Sequence, residues 1–148
     1  MKASVLAVTI ALAASGLLTT VSAGRAAGPY SNYLTVMDVQ GATAIRGLTV
    51  KDTATGLEFD DDKGKGVLEV RFDKPSLYQA EVLKNPAYYK AVAGVGEKAA
   101  IAGPGRPYRV TFVKGKFCVI VQSIPQLGKD LLNRDQLIAV AKIVAGRL

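Results

Sequence analysis

The chain has 148 residues, a net charge of +7, one cysteine and no histidine. The missing histidine removes the commonest general base and metal ligand, so Ser/His and Cys/His nucleophile pairs are excluded, and a single cysteine cannot close an intramolecular disulfide. The cations are scattered rather than grouped in a stripe, which reads as solubility charge before it reads as polyanion affinity and argues against nucleic acid as a partner.

The amino terminus is ordered like a secretion signal. Met1-Lys2 is a short positive start, Ala3 to Leu18 is apolar and uncharged, and Val21-Ser22-Ala23 places small residues before a cut. The apolar run falls short of the roughly 20 residues that a spanning helix needs. We therefore expect residues 1–23 to be a signal peptide, with no stable membrane anchor once they are removed and a periplasmic or secreted product. Residues 24–33 read as a flexible lead-in, and residues 34–148 as a single α+β domain.

Thr35 has the side chain of a helix N-cap, with Asp38 three positions on as its acidic partner. Strand candidates follow at 48–51, 57–60 and 67–73. In the last of these Leu68, Val70 and Phe72 alternate with Glu69, Arg71 and Asp73, the period of a strand with one buried face. The polar run Asp61 to Gly66 makes the turn between the second and third candidates. Its aspartates lack the alternate spacing and closing Glu of a calcium loop. Pro75 opens a second helix that Pro86 interrupts, and Tyr88-Tyr89 extends it by a further turn. A fourth strand candidate spans 98–102, after a loop with two glycines whose likeness to a phosphate loop stops short of the full pattern.

The strongest local signal is the hairpin 108–124. With Gly115-Lys116 as a two-residue turn, Val113 faces Cys118, Phe112 faces Val119 and Val110 faces Val121. One face then carries Tyr108, Val110, Phe112, Val119 and Val121, a core face. The other carries Arg109, Thr111, Val113, Cys118, Ile120 and Gln122, a mixed face. Asn133 caps the closing helix with Gln136 as its box partner, and Leu137, Val140, Ala141, Val144 and Leu148 recur at helical spacing. Lys142 and Arg147 sit where the helix dipole favours cations. These elements predict an α+β fold in the order helix-strands-helix-strands-helix, with an antiparallel sheet of about four to six strands and its helices packed on one face.

Val92-Ala93-Gly94-Val95-Gly96-Glu97-Lys98-Ala99, followed by the glycine-turn hairpin and the closing amphipathic helix, resembles a motif of small exported α+β domains of unknown function. Their architecture is loosely similar to the Mog1/PsbP-like α/β sandwich. That resemblance implies partner binding rather than catalysis, and it assigns no site residues.

The residues alone point to no cofactor and no metal site. They favour an exported, non-catalytic protein that binds an envelope component or another protein. A carrier of a small apolar ligand is the alternative, and a hydrolase working with carboxylates alone is a more distant one. Strand alternation places Glu58, Asp60, Glu69, Arg71, Arg109, Thr111, Ile120 and Gln122 opposite the core residues, on a face expected to be largely open. The loop Gly103 to Arg109 brings Arg106, Tyr108 and Arg109 together as a candidate anion contact. The candidate contact residues are therefore Arg71, Arg106, Tyr108, Arg109, Ile120 and Gln122. Cys118 lies among apolar neighbours and reads as a core thiol.

Overall fold

The computed structural model describes residues 28–103 and 108–148, so the signal-like segment and Arg106 lie outside the described residues. Three helical regions and seven strands follow one another: α1 (Val36–Thr43), β1 (Thr49–Asp52), β2 (Gly56–Asp60), β3 (Gly66–Asp73), α2 (Ser76–Tyr78), β4 (Tyr89–Ala91), β5 (Lys98–Ala102), β6 (Arg109–Lys114), β7 (Phe117–Ser123) and α3 (Arg134–Arg147). The strands form a single antiparallel sheet in the order β1-β2-β3-β7-β6-β5-β4. Two meanders, β1 to β3 and β4 to β7, thus meet through the β3–β7 pair at the centre.

Local chemistry explains most of the boundaries. The Thr35 hydroxyl accepts the Asp38 N–H while the Asp38 carboxylate accepts the Thr35 N–H at 2.8 Å, a complete capping box. Asn133 and Gln136 form the same reciprocal pair at the start of α3. The β6–β7 hairpin has the register that its alternation predicts, with Val113 opposite Cys118, Phe112 opposite Val119 and Val110 opposite Val121. Gly115 supplies the positive φ of 54° at its turn.

The sheet has seven strands, more than the four to six expected. The additional one is β4, a three-residue edge strand at Tyr89 that read as a helical turn; three residues are too few for alternation to register. The second helix is also less regular than expected. After α2 the chain makes a π-helical turn at Gln79–Leu83, where Lys84 N–H bonds the Gln79 carbonyl five residues back, and then a 3₁₀ turn at Pro86–Tyr88.

The helices are not confined to one face. On the first face Leu57, Phe59, Val70, Phe72, Val110, Phe112, Val119 and Val121 pack with Leu137, Val140, Ala141 and Val144 of α3 and Val39 of α1 in one buried cluster. On the opposite face Ala100, Ala102, Val113 and Cys118 pack under Tyr78 and Val82 in a second, smaller cluster. Tyr30 and Tyr33, from the lead-in, dock on the first face. Tyr30 stacks on Phe72 with ring centroids 4.6 Å apart, and Tyr33 meets Phe117 edge-on at 6.3 Å.

The glycine motif has a structural explanation. Val95 is buried in the main core. Gly96 has a φ of +56°, and a β-carbon there would lie 2.5 Å from the Val113 carbonyl oxygen. Glu97 N–H donates to that same carbonyl at 2.8 Å, and its carboxylate accepts the Gly115 N–H at 2.8 Å. The segment therefore clasps the β6–β7 hairpin, and its glycine is required for close approach to backbone rather than to a phosphate.

Candidate functional site

The second sheet face divides into a covered and an uncovered half. Over β5 to β7, α2 and the π-helical turn close the surface. Thr111 is fully buried and Ile120 is only 3% exposed, so this half of the face expected to be open is sealed. Alternation assigned these residues to the correct side of the sheet but carried no information about the helix that crosses above them. Cys118 is buried in the same place. Burial there, with the Asp73 and Glu81 charges adding to it, pushes its thiol up to about 11, which makes it a packing residue rather than a nucleophile.

Arg109 stands at the border of the covered half and is engaged within the chain. Its Nε donates to the Tyr89 hydroxyl at 2.9 Å, and its Nη2 reaches the Glu81 carboxylate at 2.9 Å. The guanidinium also lies 5.7 Å from the centre of the Tyr89 ring. Arg109 thus latches the π-helical turn to the sheet.

On the uncovered half the strand register lines up Lys51, Glu58, Glu69, Gln122 and Arg109 across β1, β2, β3, β7 and β6. Lys51 is exposed, and Glu58, Glu69, Arg71 and Gln122 are half-buried. Glu58 and Glu69 face each other directly, a like-charge cross-strand pair that costs stability unless a cation answers it. The answering cation is Lys51, paired with the buried Asp60 carboxylate beside Glu58. Burial, reinforced by the Asp60 charge and a hydrogen bond to Asp60, pushes the Glu58 carboxyl above the usual range even though Lys51 pulls it down. Arg71 lies 3.8 Å from Asp73, a long contact between two partly exposed side chains, so this contact leaves Arg71 accessible. Asp60 itself, expected on the wet face, is 1% exposed.

Tyr108 belongs to a different region. Its side chain packs at the margin of the main core and its N–H donates to Asp130 at 3.4 Å. With Lys90, Ile101, Gly103 and Arg134 it lines a cavity of about 110 Å³. The structure therefore brings Arg71, Arg109, Ile120 and Gln122 onto one face, of which only Arg71 and Gln122 remain accessible and uncommitted to the fold's internal latches, and it places Tyr108 elsewhere. The Asp61 turn is closed by its own chemistry: Asp61 Oδ1 accepts the Lys63 and Lys65 N–H groups at 2.9 and 2.8 Å, which holds that carboxyl below its ordinary value despite the opposing effect of burial. No group of three or more potential metal ligands occurs among the described residues, and no helix among them is long and apolar enough to cross a membrane.

Sequence reasoning missed three residues. Glu81 and Tyr89 hold Arg109 from 28 and 20 residues away, a separation that leaves no local signal. Leu127 is fully exposed at the tip of a two-residue turn, and only the Gly128 that follows it marks the spot. No family model, curated protein or solved structure matches this chain.

Proposed function

We propose that this is an exported, non-catalytic protein that binds another protein or an envelope component through the uncovered half of its second sheet face. The observation that carries the reading is the asymmetry of that face. One half is sealed by a helix, while the other presents Glu58, Glu69, Arg71 and Gln122 half-exposed on inner strands that are paired on both sides. A surface of mixed polarity spread over neighbouring strands suits a broad macromolecular contact better than a small ligand.

Other features support the same reading. The order of the first 23 residues fits export, the absence of histidine weighs against acid–base catalysis at neutral pH, and the resemblance to small exported domains points the same way. The cavity beside Tyr108 holds about 110 Å³, well under the roughly 300–1,000 Å³ of ordinary ligand pockets, so that cavity lends the carrier reading no support. A hydrolase working with carboxylates is favoured by one observation, the contact of Glu58 with Asp60, since a pair of carboxyls in unlike environments can divide acid and base roles.

The test places a photocrosslinking residue at Gln122 in cells that export the protein and identifies the adducts by mass spectrometry. A single dominant adduct that disappears with Arg71→Glu, at an unchanged melting temperature, is the expected outcome. Absence of any adduct from position 122, or an adduct indifferent to Arg71→Glu, places the contact elsewhere and removes this reading.

A further inference from the structure

The cavity of about 110 Å³ lies at the β4 edge of the sheet and is lined by Lys90, Ile101, Ala102, Gly103, Tyr108 and Arg134. Lys90 stands opposite Ile101 in the β4–β5 pair. Ile101 belongs to the main buried cluster, with the inner side of α3, so the cavity sits on the first face, on the other side of the sheet from Arg71 and Gln122. Ile101 and Ala102 are buried and make an apolar floor. The Tyr108 ring makes a wall, and Gly103 is what lets it stand there: a β-carbon on Gly103 would lie 2.5 Å from Cε1 of that ring.

The charged groups that line the cavity are of one sign. Lys90 and Arg134 are both exposed. Among the described residues neither side chain has an ion pair, the cations in the four pairs being Lys51, Arg71, Arg109 and Arg147. Arg134 is the first residue of α3, where the helix dipole disfavours a cation, so the helix itself gives no reason for it. Two carboxylates lie along the chain on either side of Arg134. Asp130 accepts the Tyr108 N–H at 3.4 Å, and Asp135 is the acidic residue that suits the first turn of α3. Neither lines the cavity.

The geometry points to this cavity as a binding site for a phosphate group, either the free ion or the end group of a small organic molecule. Lys90 and Arg134 donate to its oxygens, and Ile101 and Ala102 meet any carbon atoms it carries. A phosphate monoester carries about −1.5 to −2 at pH 7 and so engages both cations, whereas a carboxylate answers only one. The volume sets the size. It is far below the roughly 300–1,000 Å³ of ordinary ligand pockets, which limits the occupant to the phosphate and a few carbons. This site is separate from the Arg71–Gln122 face and goes beyond the function proposed for it.

In the test, isotope-labelled protein is titrated with inorganic phosphate, ethyl phosphate and acetate at constant ionic strength, while NMR follows the amides of Gly103, Tyr108 and Arg134. Both phosphates should move these resonances saturably, and acetate should bind several-fold more weakly. Tighter binding of ethyl phosphate assigns the site to an organic phosphate, and equal binding assigns it to the free ion. Lys90→Gln and Arg134→Gln should each weaken binding roughly fivefold, the scale of one exposed charge contact, at an unchanged melting temperature. Lys116→Gln removes the same charge at the opposite end of β6, in the β6–β7 turn, and should leave the affinity unchanged. Resonances that do not move saturably with either phosphate overturn the inference, as does acetate binding as tightly as phosphate. So do cavity variants that bind like the parent, or a Lys116→Gln variant that loses as much as they do, because phosphate then follows net charge alone. Each of these failures leaves the sheet-face reading intact, since that reading is scored by the Gln122 crosslink and Arg71→Glu.

Discussion

The guanidinium of Arg147, in the last turn of α3, grips both oxygens of Asp38, in the first turn of α1, with bonds of 2.6 and 2.7 Å. One bidentate pair thus joins the carboxyl end of one helix to the amino end of the other, and each charge also lies where the local helix dipole favours it. Burial alone would push the Asp38 carboxyl up, but the bonds from Arg147 and Thr35 outweigh it and hold the carboxyl below its ordinary value.

That depression has a definite sign. A carboxyl whose folded pKa is lowered adds stability above its unfolded value and loses it as the pH falls through the folded value. Arg147→Met should therefore cost about 0.5–1 kcal/mol at pH 7, solvent screening at the half-exposed arginine keeping the figure in the surface-pair range. Little of that difference should survive well below about pH 3. Urea denaturation at both pH values measures it, and in a double-mutant cycle Asp38→Asn should remove most of the effect of Arg147→Met.

Glu58 has the opposite sign. Its carboxyl is raised in the folded chain, mainly by burial and then by Asp60, so its contribution is present below the unfolded value of 4.5 and is lost as the pH rises through the folded value. Glu58→Gln should accordingly raise the melting temperature at pH 7 and leave it nearly unchanged at pH 3. A variant less stable than the parent at pH 7 would show that the Glu58 charge is welcome beside Lys51.

Gly96→Ala tests the clasp on the hairpin. The added methyl meets the Val113 carbonyl at 2.5 Å and the backbone is left-handed, so the substitution should cost about 2–3 kcal/mol. Gly64→Ala serves as the comparison: it shares the positive φ, at +73°, but meets nothing within 4 Å, and it should cost about 1 kcal/mol. Equal losses in the two variants would mean that strain alone, without the close approach, accounts for the glycine.

The two halves of the second face should respond differently to charge. Ile120→Lys places an ammonium where the side chain is 3% exposed and should cost about 3 kcal/mol or more. Arg71→Glu, in the neighbouring strand directly opposite Ile120, changes a half-exposed residue and should stay within about 0.5 kcal/mol. Thermal melts of the two single variants compare them directly, and similar losses would mean that the covered and uncovered halves are not distinct.

Much of this molecule was legible from its residues because the relevant physics is local. Thr35 with Asp38, and Asn133 with Gln136, lie within one helical turn of each other, so the caps can be read where they stand. Gly115-Lys116 sets the hairpin register because a two-residue turn leaves one pairing for Val113 and Cys118. The candidate site was legible only in part. Alternation identified the side of the sheet that carries Arg71, Ile120 and Gln122, but it is silent on which of them a helix covers.

By itself the sequence determined the α+β class, the caps, the central hairpin and the side of the sheet on which the residues of β3 and of that hairpin stand, since each depends on neighbours a few positions away. Only the tertiary structure decided that β3 pairs with β7, that a three-residue β4 extends the sheet, and that α2 seals Ile120 and Thr111. It alone also decided that Arg109 is held by Glu81 and Tyr89, and that Leu127 is left at a bare tip. The reason is physical: side-chain period dictates direction, whereas burial and pairing depend on which distant segment arrives opposite, a choice made by the packing free energy of the whole chain.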